Sequence, residues 1–257
     1  MNETLKAIAN RRSVRAYSDQ PVTDDEKEQI LNAIFRSPTA GGLMLYSIIQ
    51  VDDQALKDKL AVSCDHQPFI AKAPYVLLFL ADYQRWFDYF NLCGVEQHSK
   101  KINRPYRKPQ VGDLFLASCD ALIAAQTAVI AAESLGIGSC YIGDILEKYE
   151  YHRELLDLPP YALPITMVCF GYPTASAARR KLTLRSPREA IVHKNRYQRF
   201  DSEKLKNVFA NIEAQFKAGT HSPDIANAGQ DVFFRKFVAD FSTEMNRSVN
   251  KMLENWC

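Results

Sequence analysis

Tyr75-Val76-Leu77-Leu78-Phe79-Leu80-Ala81 is seven residues without a charge or an alternating polar position. A strand with one face in water alternates apolar and polar residues, whereas a strand covered on both faces has no reason to. The stretch therefore predicts the central strand of a sheet with helices on both sides. Two further runs read as strands, the second of them buried. Tyr46-Ser47-Ile48-Ile49-Gln50-Val51 lies between Gly41-Gly42 and Asp52-Asp53, and Pro164-Ile165-Thr166-Met167-Val168-Cys169-Phe170-Gly171 stops at Tyr172-Pro173.

The stretches around these strands are helical. Thr23-Asp24-Asp25-Glu26 is a capping box, with the hydroxyl and the glutamate each serving a free N–H, and Ile30, Leu31 and Ile34 continue an apolar face. The pattern predicts a helix of about four turns ending near Ser37-Pro38. Leu56 and Leu60 mark a short helix. Residues 113–135 are apolar nearly all round and rich in alanine, which requires burial, and Gly136 caps the end. Small residues also let a second helix approach, so a core helix and a helix facing its own copy are both open.

The chain of 257 residues, 47% hydrophobic and 24% charged, has the composition of a globular protein and excludes fibre, collagen and disorder. A net charge of +2 gives no argument for nucleic acid or membrane. The most apolar run, residues 121–135, contains Gln126, Thr127, Glu133 and Ser134, so no bilayer-spanning segment is expected. Six cysteines form no C-x-x-C pair and no secretory leader is read at the start, so reduced thiols in a cytoplasmic protein are expected. The five histidines show no metal-ligand spacing, and neither a P-loop nor a G-x-S-x-G elbow occurs. Cys140 has no histidine near it in sequence and is expected to be inert.

Two clusters of cations stand out. Arg11-Arg12-Ser13-Val14-Arg15 lies where a first helix, with Leu5, Ile8 and Ala9 on one face, runs into a loop. Three guanidinium groups this close repel one another unless an anion joins them, and a phosphate accepts bidentate bonds from arginine and one more from Ser13. A solvated basic face is the bland alternative. The second cluster, Arg179-Arg180-Lys181 through Arg185, lies on a loop and is placed to converge on the same phosphate. Residues 83–112 form an aromatic and basic excursion. Its segment 100–108, with Lys100, Lys101, Arg104, Arg107 and Lys108, is read as a lid or partner-facing stretch in preference to a nucleic-acid surface. Gly136-Ile137-Gly138-Ser139-Cys140-Tyr141-Ile142-Gly143 imitates a dinucleotide fingerprint, yet its glycines close a helix and enter a strand, the reverse of that motif. Gly143 is a place where backbone can approach something flat. Last, Phe234, Phe237, Phe241, Met245, Val249, Met252 and Trp256 predict an apolar stripe on a C-terminal helix, packed on its own core or, with slight preference, on a partner subunit.

The ordered set Arg11-Arg12-Ser13-x-Arg15, Ser37-Pro38-Thr39-Ala40-Gly41, Asp65-His66-Gln67-Pro68-Phe69, Gly138-x-x-Tyr141-Ile142-Gly143, Gly171-Tyr172-Pro173 and Arg185-x-Pro187 resembles the nitroreductase family, and most closely its larger NADPH-dependent group of nitroreductases and flavin reductases. The resemblance spans essentially the whole chain. It implies an α+β, three-layer α/β/α fold: a mixed sheet flanked by helices over residues 1–190, with the excursion at 83–112, and a C-terminal helical extension over 191–257. It further implies a homodimer with FMN at the subunit interface, NADPH or NADH as donor, and reduction of nitroaromatics, quinones or free flavins by ping-pong hydride transfer through flavin N5. By position Arg11, Arg12, Ser13, Arg15 and Arg185 would hold the FMN phosphate and ribityl chain, Thr39 and Gln67 would reach the flavin, and Tyr141, Ile142 and Gly143 would lie against its ring at the start of a strand. No side chain need be catalytic, since the flavin carries the chemistry. Four positions depart from the family pattern. Thr183 stands where a lysine is usual, with Lys181 nearby; Gly42 and Met44 replace asparagine and glutamine; Asp144 replaces a second glycine. A flavin-binding protein of this fold without turnover, and an interaction protein using segment 100–108, are the rival readings.

Overall fold

The computed structural model describes residues 1–256; Cys257, the sixth cysteine of the sequence, lies outside them. The chain forms two compact units, Met1–Lys181 together with the chain from Glu244, and Leu182–Thr243.

The first unit is built on four strands, β1 (Tyr46–Gln50), β2 (Tyr75–Asp82), β3 (Gly138–Ile142) and β4 (Ala162–Gly171), in the spatial order β1-β2-β4-β3. All three pairings are antiparallel, and the one parallel element is the isolated bridge of Ser13 to Ser139. Every residue of β2 is buried, as its unbroken apolar run requires. Tyr75, Leu77 and Phe79 face one side of the sheet with Val168 and Phe170, under α2 (Asp24–Ile34) and α7 (Val111–Ser134). Val76, Leu78 and Leu80 face the other with Met167 and Cys169, under α3 (Gln54–Ser63) and α4 (Pro68–Ala71). Burying each such side chain contributes on the order of 1.5–3 kcal/mol. These are the three layers expected.

Helix α1 (Glu3–Asn10) precedes the capped α2, whose capping box is formed as expected; α2 stops at Ile34, a turn short of Ser37. The excursion carries α5 (Gln84–Leu92) and α6 (Val95–Lys101). A 3-10 turn over Asp144–Leu146 and α8 (Tyr149–Leu155) separate β3 from β4, and α9 (Ala175–Ala178) follows β4. Helix α7 corrects one expectation. It is 24 residues long and contains an 18-residue window of mean hydropathy 1.8, enough by length and composition to cross a membrane. Of the polar residues that broke the run in sequence, Gln126 and Thr127 lie inside the helix and only Glu133 and Ser134 in its last turn, and the helix starts ten residues before residue 121. Here Ala117, Ala121, Ala124, Ala125, Ala128 and Ala132 are buried in the core.

The C-terminal stripe is not one helix face. Phe233–Phe237 form a π-helical turn, and α13 (Asp240–Trp256) is a separate helix. Met252 and Trp256 are buried in the chain's own core with Leu45, Ala81, Leu114 and Leu163, and the Trp256 indole N–H donates to Gln110 O at 3.0 Å. That end of the helix therefore packs on its own chain. Tyr149 N–H donates to Ser248 Oγ at 3.0 Å, and Arg247 makes a bidentate pair with Glu150, fastening α13 to α8.

The second unit carries α10 (Arg188–Ile191), α11 (Ser202–Lys217) and α12 (Ala228–Val232). Its α11 is capped by Asp201, whose carboxylate accepts from Lys204 N–H at 2.8 Å.

Candidate functional site

The site begins where the chain leaves α1. Val14 N–H donates to Ser139 O at 2.8 Å, so residues 13–17 run beside the start of β3, and Tyr17 bridges to Pro173 beyond β4. The close passage needs two glycines. Gly138 and Gly171 face each other across β3 and β4; a Cβ on Gly138 would meet Val14 Cγ2 at 2.4 Å, and one on Gly171 would meet Tyr17 Cδ1 at 2.6 Å. Glycine at 138 serves this crossing, which the fingerprint-like spacing did not reveal.

Along the crossing the basic residues separate into two roles. Arg12 is a clamp: its Nη1 donates to Ala178 O at 2.6 Å and Arg180 O at 2.7 Å, pinning the start of the second cation-bearing loop to the first. Arg11 and Arg15 have no ion-pair partner among the described residues. The Arg15 guanidinium lies 5.7 Å from the centroid of the Phe69 ring, in the first turn of α4. Arg11 faces Glu133 and Tyr141 electrostatically. Burial pushes the Glu133 carboxyl up to about 7, against the pull of Arg11 and Arg12, and its Oε1 has no hydrogen-bond partner. An acid here opposes an anion, and its partial protonation near neutral pH weakens that opposition.

Gln67 caps α4 and joins the same region. Its Nε2 donates to Asp144 Oδ2 at 2.7 Å and to Cys64 O at 3.0 Å. Asp144 follows Gly143, which is exposed and has no atom within 4 Å of where a Cβ would stand. Tyr141 and Ile142 are the last residues of β3, not the first as the resemblance implied, and the Tyr141 hydroxyl lies 3.1 Å from Gln126 Oε1. Burial raises the Tyr141 phenol to about 12 and keeps it neutral. Cys140, in the same strand, is buried on its inner face and its thiol is raised by burial, as expected of an inert cysteine.

Ser13 thus lies beside Ser139 at the start of β3, Arg15 lies over Phe69 two residues after Gln67, and Gln67 bonds Asp144, which follows Tyr141, Ile142 and Gly143 at the other end of the strand, where Arg11 faces Tyr141 electrostatically. Thr39 is held elsewhere. Its Oγ1 accepts from Met44 N–H at 3.3 Å, and its loop is anchored on α7 by Asp120, which accepts from Ala40 N–H at 2.9 Å and Leu45 N–H at 3.0 Å. Arg185 belongs to the second unit and is exposed, with Nη1 3.5 Å from Thr183 O. In the excursion Lys100 is paired with Glu96 and Arg107 with Asp113, so two cations of segment 100–108 are already neutralised. Sequence reading missed Asp120, although an aspartate alone in an apolar helix is itself a signal, because burial forces it to find donors.

A model of the nitroreductase family matches residues 8–172, nearly two thirds of the chain and all of the β1–β4 sheet. The chain belongs to the nitroreductase family. Among curated nitroreductase-family relatives, the oxygen-insensitive NADPH nitroreductase of Salmonella typhimurium is 34% identical over 205 residues, covering 80% of this chain and 79% of the relative. The FMN reductase [NAD(P)H] of Bacillus subtilis is 34% identical over 197 residues, covering 77% and 75%. Among solved nitroreductase-like structures, NfrA2 of B. megaterium superposes with a TM-score of 0.79 at 28% identity, over all of this chain and 98% of that one.

Proposed function

We infer that this nitroreductase-family chain is an FMN-dependent NAD(P)H oxidoreductase whose acceptors are small molecules such as nitroaromatics, quinones or free flavins. The observation that carries the reading is the set of unspent groups along β3. Two arginines outside any ion pair, the acceptor oxygen of a half-buried carboxamide and an exposed glycine with open space above it suit an anionic tail, a polar ring edge and a flat ring in turn.

In this reading Arg11, Ser13 and Arg15 hold the phosphate and ribityl chain. Arg12 contributes by gripping residues 178–180 at the start of the second cation-bearing loop, since its Nη1 is committed to two carbonyls. Gln67 binds the polar edge of the ring, and Tyr141, Ile142 and Gly143 supply the surface on which the ring lies. Thr39 contributes from its Asp120-anchored loop. Bound FMN supplies hydride transfer; the chain itself binds, orients and excludes water. NADPH or NADH serves as donor, as in the names of the Salmonella and Bacillus relatives.

We assign a homodimer for this function. Helix α7 turns Phe115, Leu116, Leu122 and Ile123 outward, and a row of large apolar residues on one long helix is what a second copy would cover. The buried, unpaired Cys64, Cys140 and Cys169 suit a reducing compartment, and we place the enzyme in the cytoplasm.

Replacing Arg11 and Arg15 together by alanine tests the phosphate assignment. Each arginine–phosphate interaction contributes on the order of 1.5–3 kcal/mol, so the double variant should lose at least about a hundredfold in FMN affinity by fluorescence titration. An unchanged dissociation constant would sink the assignment.

A further inference from the structure

The Gln67 carboxamide has two N–H groups, and both are spent. Its nitrogen lies 2.7 Å from a carboxylate oxygen of Asp144 and 3.0 Å from the Cys64 carbonyl. Turning the amide over would set its oxygen against two other oxygens and leave all three unpaired, so the amide is fixed in one sense. Its Oε1 has no protein donor among the described residues, and Gln67 is only half-buried, so that oxygen is free to accept from a ligand. Asp144 stands next to the exposed Gly143, where a Cβ would meet no described atom within 4 Å beyond its two chain neighbours.

We propose that Asp144 is a positioning residue of the flavin site: it locks Gln67 so that the carboxamide presents an acceptor to the N–H edge of the ring, and its charge opposes build-up of electrons on that ring. The inference rests on the FMN reading above. A free carboxamide can offer either its oxygen or its nitrogen, and so can serve either a donor or an acceptor on the ring. A locked one cannot. The same lock brings a carboxylate to within one side chain of the flavin, where added electron density is repelled and the reduced form is bound less tightly. Glu147 neighbours this carboxylate, and Asp65, Glu244 and Lys148 in turn neighbour Glu147. Burial and the acidic neighbours raise Glu147 to about 7, so it adds less than a full charge at neutral pH and leaves Asp144 as a main source of the field.

The test is an anaerobic redox titration of the FMN-loaded protein against a reference dye, together with FMN titration by fluorescence, for the wild type, Asp144→Asn and Asp144→Ala. Asparagine keeps an acceptor oxygen for the Gln67 N–H and removes the charge. Asp144→Asn should bind oxidised FMN within twofold of wild type while raising the ratio of reduced to oxidised affinity about tenfold, which is about 30 mV for a two-electron couple. Asp144→Ala removes the lock as well, and should add a loss of oxidised-FMN affinity of about five- to tenfold, the worth of one hydrogen bond. A residue that only supported the fold would lower both affinities and leave the potential where it was. An unchanged potential in an Asp144→Asn protein that binds FMN normally overturns this inference alone; a wild-type protein that binds no FMN overturns it together with the flavin reading.

Discussion

Glu147 is 4% exposed, and its Oε1 has no hydrogen-bond partner. Burial, with Asp144 and Asp65 close by, lifts its carboxyl to about 7 against the opposing pull of Lys148. The folded protein therefore holds this proton to higher pH than the unfolded chain, which releases it in the ordinary carboxylate range. Folding binds a proton within that window, so the Glu147 contribution to stability falls as pH rises from about 4.5 through about 7 and stays lost above it. Glu147→Gln cannot ionise. Compared with wild type it should gain stability between pH 5 and pH 8, by up to the order of 3 kcal/mol, in denaturant unfolding at the two pH values. A stability difference that does not change with pH would show that Glu147 titrates normally in the fold. At this scale the sequence was partly legible. Arg11, Arg15 and Gln67 were visible as residue types in the right order, but the spending of Arg12 on two carbonyls and of Gln67 on Asp144 depends on loops that meet only in the folded chain.

At the scale of elements, the crossing of residues 13–17 over β3 and β4 aligns the basic corner with the end of the sheet. It depends on Gly138, where a methyl group would lie within 3.0 Å of two Val14 carbons in a packed core. Gly138→Ala should destabilise the fold by about 1–3 kcal/mol, the usual cost of overpacking, and should weaken FMN binding because Val14 stands between Ser13 and Arg15. Chemical denaturation and FMN titration on one preparation check both; an unchanged midpoint would mean that the crossing yields without strain. The strands themselves could be read from sequence because β2 is apolar on both faces and β4 nearly so. The role of Gly138 could not, since its partner lies over a hundred residues earlier. The C-terminal stripe misled for a related reason: a three-four periodicity shows which residues share a face only while the helix is continuous, and the π-turn at Phe233–Phe237 breaks the phase.

For the whole molecule, helices cover both faces of the sheet that β2 centres, as its apolar run predicted. The dimer is the prediction that belongs here. Leu122→Asp with Ile123→Asp would bury two carboxylates in the proposed contact, and should yield a monomer by sedimentation velocity that keeps its helical circular dichroism and loses FMN. A double variant that remains a dimer would move the interface away from this face of α7.

The central claim, a flavin site round the end of β3, is tested most directly by the visible spectrum of the purified protein and its anaerobic titration with NADPH. The account predicts flavin bands, present as isolated or after adding FMN and removing the excess, that bleach as NADPH is added. A colourless protein that retains no added FMN would contradict it.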